Sequence, residues 1–265
     1  MLNIRQVKLF LSTARSMSSL LILSFILYCY APAVSQSSVV KQELSSQEYA
    51  LDLLKKMSDN VASLPQFGFH LEIIDDYTYE DGLQTQLEES MDLTMDRKNG
   101  IWVDLKGDYN HKRFWYDGDN ITLLTVLANL YATEEVSGTM DEVLDLLFDK
   151  YNVTIPMTDL LYSNPFEVLT ENIIYGFYAG LHSVDDTPCH HLIFIQDNID
   201  WQIWIEEGPK ALPRKLLIKY KNEPEKPDHV VKVIKWDYVP YSTDQFFKFI
   251  PPPGAIEIEF LDNSK

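Results

Sequence analysis

Positive charge is scarce in this chain. Twenty-two lysines and arginines stand against 40 aspartates and glutamates, a net charge of −18 at pH 7. Such an imbalance repels polyphosphates and anionic lipid surfaces, which argues against nucleic acid as a partner. Cysteine is scarcer: only Cys29 and Cys189 occur, so a disulfide framework is excluded as the basis of the fold. A Gly-rich phosphate loop, GxSxG, HExxH, CxxC and paired zinc spacings are all absent. With no such machinery the expectation is a non-catalytic protein without a cofactor. Long apolar runs are lacking except for one near the start, Leu20 to Tyr30.

That run reads as the core of a signal peptide. Arg5, Lys8 and Arg15 precede it with no acidic residue, and Ala33-Val34-Ser35 supplies the small residues of a cleavage site. It is shorter than the ~20 apolar residues a membrane span needs. Tyr28 is bulky where lipid modification of Cys29 would want a small residue. Residues 1–35 are therefore expected to be removed after Ser35, residues 36–44 to be a flexible N-terminus, and residues 45–265 to form one domain. Cleavage takes away three basic residues and no acidic one, moving the net charge to −21. An acidic exported domain of this size is expected to be a monomer with no stable membrane insertion.

The stretch Cys189 to Tyr220 organises the rest. Trp201, Ile203 and Ile205 alternate with Gln202, Trp204 and Glu206; Leu216, Ile218 and Tyr220 alternate with Lys215, Leu217 and Lys219. Period two with Asp197-Asn198 and Glu207-Gly208-Pro209 as breaks predicts an antiparallel meander with one dry face. Similar alternation runs from Phe67 to Leu105 through the turns Asp81-Gly82 and Asn99-Gly100. It continues through Lys112–Tyr116, Ile121–Leu124 and Asn129–Ala132, and later through Val230–Trp236 and Tyr238–Tyr241. Two segments break to helical spacing. Ser45 and Glu48 have capping-box spacing ahead of Ala50, Leu53, Leu54, Met57, Val61 and Leu64, with Pro65 as the stop. Thr139 and Glu142 repeat the spacing ahead of Val143, Leu144 and Leu147, opening a helical insert near 139–172. The fold class is mainly antiparallel β (α+β), with amphipathic helices covering the dry face of the sheet.

Cys189-His190-His191 is the only cluster with chemical potential. Alternation puts Cys189 and His191 on one strand face and His190 on the other. Two groups on one face could share a metal if further ligands came from elsewhere, and a nucleophilic cysteine would need a nearby base. The plainer reading is one surface histidine and one packed beside a structural thiol.

Several motifs carry a resemblance. They are Phe114-Trp115-Tyr116-Asp117-Gly118, Gly138-Thr139-Met140-Asp141-Glu142, Pro156 with Asp159-Leu160-Leu161, and His190-His191-Leu192. With them go Asp200-Trp201-Gln202-Ile203-Trp204-Ile205, Gly208 and Leu212-Pro213-Arg214-Lys215. Together, over roughly Tyr49 to Phe260, the chain resembles a domain-of-unknown-function family of predicted periplasmic bacterial proteins (DUF 2092). That family is similar in fold to the lipoprotein carriers LolA and LolB. The ending Phe246-Phe247-Lys248-Phe249 to Pro252-Pro253-Gly254-Ala255 also looks like the close of that fold.

The resemblance implies a periplasmic protein with an unclosed, strongly curved β-barrel, helices over its concave face, and a cavity for a hydrophobic ligand such as a lipid or an acylated protein. The dry face suggests Leu71, Ile73, Leu87, Leu93, Trp201, Ile203, Ile205, Leu216 and Ile218 as its lining. A cell-envelope sensor or scaffold that binds another protein is the alternative. A hydrolase or metalloprotein built on Cys189 and His191 is a third reading.

Overall fold

The computed structural model describes residues 45–240 and 243–260. The expected leader, 1–35, and N-terminal stretch, 36–44, lie outside the described residues.

Helix α1 (Ser46–Ser63) starts where the side-chain chemistry asks it to. The Ser45 hydroxyl accepts from the Glu48 N–H, and the Glu48 carboxylate accepts from the Ser45 N–H, closing the capping box. Leu64 turns extended ahead of Pro65, whose ring disfavours helix in the residue before it. Ala50, Leu54, Met57 and Val61 form the buried stripe. Helix α2 (Met140–Asp149) repeats the device with Thr139 and Glu142 and buries Val143, Leu144 and Leu147. A 3-10 turn at Thr158–Leu160 and helix α3 (Pro165–Thr170), capped by Asn164 with Pro165 at its first position, complete the insert.

The strands are β1 (Gln66–Thr78), β2 (Gln84–Asp96), β3 (Gly100–Gly107), β4 (His111–Tyr116), β5 (Asn120–Thr125) and β6 (Leu130–Glu135) before the insert. After it come β7 (Tyr175–Val184), β8 (Thr187–Ile195), β9 (Ile199–Glu206), β10 (Pro213–Tyr220), β11 (Asp228–Asp237) and β12 (Ile256–Glu257). They form one sheet in the order β12-β6-β5-β4-β3-β2-β1-β11-β10-β9-β8-β7. Two meanders are thus joined side by side through the β1–β11 pairing, Phe69 opposite Trp236 and Ile73 opposite Val231. Every pairing is antiparallel except the short parallel contact of β12 with β6. The sheet curves but does not close, and β7 and β12 are its two edges.

Alternation of burial is cleanest on β9, where Ile199, Trp201, Ile203 and Ile205 are buried and the residues between them half-buried. At the β3 start, Gly100 has φ 153, and a Cβ there would lie 2.0 Å from the Tyr116 carbonyl oxygen. No side chain fits that approach, which lets β3 and β4 meet closely over Phe247. One expected strand is not formed. Residues 238–240 run irregularly after β11, where Pro240 has no N–H to offer a ladder, and Tyr241 lies outside the described residues.

The concave face carries the core in two unequal halves. Over β7, β8 and β9 lies α1, which also touches α3 and the 3-10 turn. Arg97, on the turn after β2, fastens that end of the cover. Its guanidinium donates to the carbonyls of Val61, Leu64, Leu161 and Tyr162 at 3.0–3.3 Å, above the Phe67 ring. On the convex face Phe246 and Phe249 pack on Trp102, Trp115 and Tyr131. From there the chain reaches the β6 edge as β12.

Candidate ligand cavity

The half beneath α1 is filled. Leu71, Ile73, Leu93, Trp201, Ile203, Ile205, Leu216 and Ile218 are all buried in the main core, with Trp201 against Phe194 at 4.4 Å between ring centroids. Leu87 is half-buried near the outer end of β2. None of these nine lines the cavity that lies over the other meander. All but Leu87 belong to the one packed core, which α1 covers over β7–β9.

The cavity lies over the other meander and has a volume of about 540 Å³. Its floor is the concave face of β2 to β6, where Met91, Val103, Leu105, Phe114, Leu123 and Ala132 stand in register on neighbouring strands. Its roof is the segment 151–156 that follows α2, together with Ile258, Glu259 and Phe260 beyond β12. The Tyr151 and Phe260 rings join the two parts of the roof, tilted against each other with centroids 4.7 Å apart. Leu105, Leu123, Leu130, Val153 and Phe260 are only half-buried, and part of their apolar surface faces the space.

Polar groups collect on the rim at the β2–β4 end. Glu89 sits opposite Gly107, where a Cβ would come within 2.8 Å of its carboxylate, so the missing side chain makes its berth. Asn110 donates to Glu89 Oε1 at 3.0 Å, while Glu89 Oε2 and Asn110 Oδ1 are buried without a donor. Lys112 stands exposed beside them. Arg113 touches the cavity, but its guanidinium is bound at 3.2 Å by Asp104 on the opposite sheet face. Burial would raise the Asp104 pKa, but hydrogen bonds from Arg113 and His111 outweigh it and hold the carboxyl below its ordinary value.

The cysteine–histidine cluster is divided among separate contacts. The buried Cys189 thiol reaches the Thr187 carbonyl at 3.3 Å, and burial pushes its pKa up, away from the reactive thiolate. His190 meets Tyr178 at 3.1 Å near Tyr49 of α1. His191 lies on the other face, stacked on Trp204 at 4.1 Å and bonded to His182 and Gln202 at 3.0 and 2.9 Å. Among the described residues no group of three or more His, Cys, Asp or Glu is arranged to hold a metal ion.

Sequence reasoning missed the roof. It also named Leu87 and Leu93 rather than Met91, Val103 and Leu105, which share the dry parity of β2 and β3, and nothing periodic marks 151–156 or 258–260.

The class the fold defines is a half-open antiparallel sheet whose concave face is covered and encloses an apolar cavity. This chain belongs to the family described as predicted periplasmic protein (DUF2092), which matches residues 50–261. It is accordingly a periplasmic protein. No described helix is long and apolar enough to cross a membrane.

Among solved structures it is similar to an uncharacterized conserved protein from Thermus thermophilus, at 9% identity over 80% of this chain and 99% of that one, TM-score 0.47. It is similar also to the Mycobacterium tuberculosis lipoprotein LppX, at 13% identity over 71% and 95%, TM-score 0.44. A LolA superfamily protein from Nitrosomonas europaea matches at 9% identity over 76% and 97%, TM-score 0.36. A comparison with curated proteins gives no match.

Proposed function

We propose that this is an exported binding protein, released by cleavage after Ser35, that holds a hydrophobic ligand between β2–β6 and the 151–156/258–260 roof without acting on it chemically. One observation carries the reading: a cavity of about 540 Å³ with an apolar floor, on which Leu105 and Leu123 are only half-buried, beside a core half that is closely filled. Ligand pockets fall at roughly 300–1,000 Å³. Each methylene removed from water contributes about 0.8 kcal/mol, so an acyl chain supplies ample affinity with few polar contacts. Of the nine residues named from the dry face, all but Leu87 sit in the packed core, and none lines this cavity.

The test is native mass spectrometry of protein purified from the periplasm, followed by solvent extraction. A bound species of lipid mass is expected. A clean apo mass with no extractable lipid, and no uptake of any acyl-chain probe, sinks the reading.

A second reading, a sensor or scaffold for another protein, is favoured by the β7 edge, which pairs with no further strand among the described residues. Ile174, Tyr175, Phe177 and Leu181 are 43–60% exposed there. Retention of one protein partner by lipid-free protein, lost in Phe177→Lys, would support it.

A further inference from the structure

We infer that the cavity takes an amphiphile with a single acyl chain and a head group bearing both an ammonium and a phosphate. This rests on the cavity being a ligand site and names what enters it.

Volume sets the tail. At roughly 30 Å³ for a water-sized or methylene-sized group, about 540 Å³ holds on the order of 18 such groups. That matches one long chain.

The rim sets the head. Lys112 is paired with Leu105 on β3 and Thr125 on β5, both of which line the cavity, so it rises from the same concave side. It has no ion-pair or hydrogen-bond partner among the described residues, whereas Arg113 is held by Asp104. A free ammonium at a cavity mouth is a ready partner for an anionic oxygen. Glu89 Oε2, two strands away on β2, and Asn110 Oδ1, in the turn just before β4, are buried acceptors with no donor, and Glu259 brings another carboxylate to the mouth. Unfilled buried acceptors are costly, and an ammonium carries three hydrogens to fill them. A plain fatty acid would satisfy Lys112 but set its own charge against Glu89 and Glu259. A choline head brings positive charge but no N–H. The combination of Lys112 with Glu89 and Asn110 fits a phosphate and a primary ammonium on one head.

The experiment is calorimetric titration of full-length mature protein, stripped of lipid, with four probes sharing a palmitoyl tail. They are one-chain glycerophosphoethanolamine, one-chain glycerophosphocholine, palmitate and two-chain glycerophosphoethanolamine. The one-chain ethanolamine lipid is expected to bind about tenfold or more tighter than the others. Lys112→Gln and Glu89→Gln should each weaken it about tenfold. Lys112→Arg should retain binding, and Glu89→Gln should bring palmitate closer to it. Thermal melts of the lipid-free variants check that folding is unchanged. Equal affinity for all one-chain probes, unmoved by either variant, overturns the head-group assignment and leaves the cavity reading standing. Tighter binding of the two-chain lipid overturns the single-tail assignment. Failure of every probe to bind overturns the cavity reading as well.

Discussion

At the scale of single residues, Arg97 carries more structure than its place on a surface turn suggests. Burial lowers its pKa from the ordinary value and Asp141 raises it, and a guanidinium remains charged under both. Replacing it with Met strips hydrogen bonds from carbonyls of α1 and the insert at once. Arg97→Met should cost about 3 kcal/mol, read from urea unfolding. Lysine should not restore it, since one ammonium cannot span the fork.

His190 and His191 set a pH dependence. Burial lowers both pKa values below the ordinary imidazole value, so the unfolded chain binds protons more readily than the folded one. Their contribution is complete above about pH 6.5 and fades as pH falls through the unfolded value toward the folded ones. The urea midpoint should therefore drop on acidification, and a His190→Gln, His191→Gln double variant should flatten the drop between about pH 7 and 5. An unchanged slope would show that other groups dominate.

At the scale of elements, the floor and roof make distinct contributions. Leu123 is half-buried, on β5 directly opposite Phe114 and Ala132. Leu123→Trp should fill the cavity and abolish acyl-probe binding while the melting temperature holds within a few degrees, because the packed half is untouched. Normal binding would mean that the ligand sits elsewhere. Much of this level was legible beforehand. Both capping boxes, the meander through β8, β9 and β10, and the turn glycines follow from side-chain chemistry within a few residues of each site. Which half of the dry face would be filled was not legible, because the parity of Leu71 and Ile203 looks the same as that of Leu105 and Leu123. The difference comes from the cover: α1 has a regular apolar stripe that packs flat, whereas 151–156 is an irregular segment with Asn152 in a left-handed turn. Pro240 ended an expected strand for a reason visible in the chain, its missing N–H.

At the scale of the whole molecule, net charge governs where the protein goes. The excess of acid should keep it off membranes, so cosedimentation with vesicles of anionic lipid at low salt should recover it in the supernatant. Substantial pelleting would point to a surface-bound mode of action. The −21 expected after cleavage also bears on the open β7 edge. That edge has no Asp, Glu, Lys or Arg from Tyr175 to Val184, yet two copies meeting there bring like-charged bodies together. The other edge is occupied by the chain itself. Tyr131 and Glu257 join across it at 3.4 Å, and Asn129 holds the Pro253 carbonyl from 124 residues away. The β12 pairing is two residues long and exposed, so it is among the contacts that open most readily. A single proteolytic nick between 243 and 258 would therefore leave a folded, melting-competent body with an unroofed trough, turning a retaining vessel into a leaking one without unfolding it.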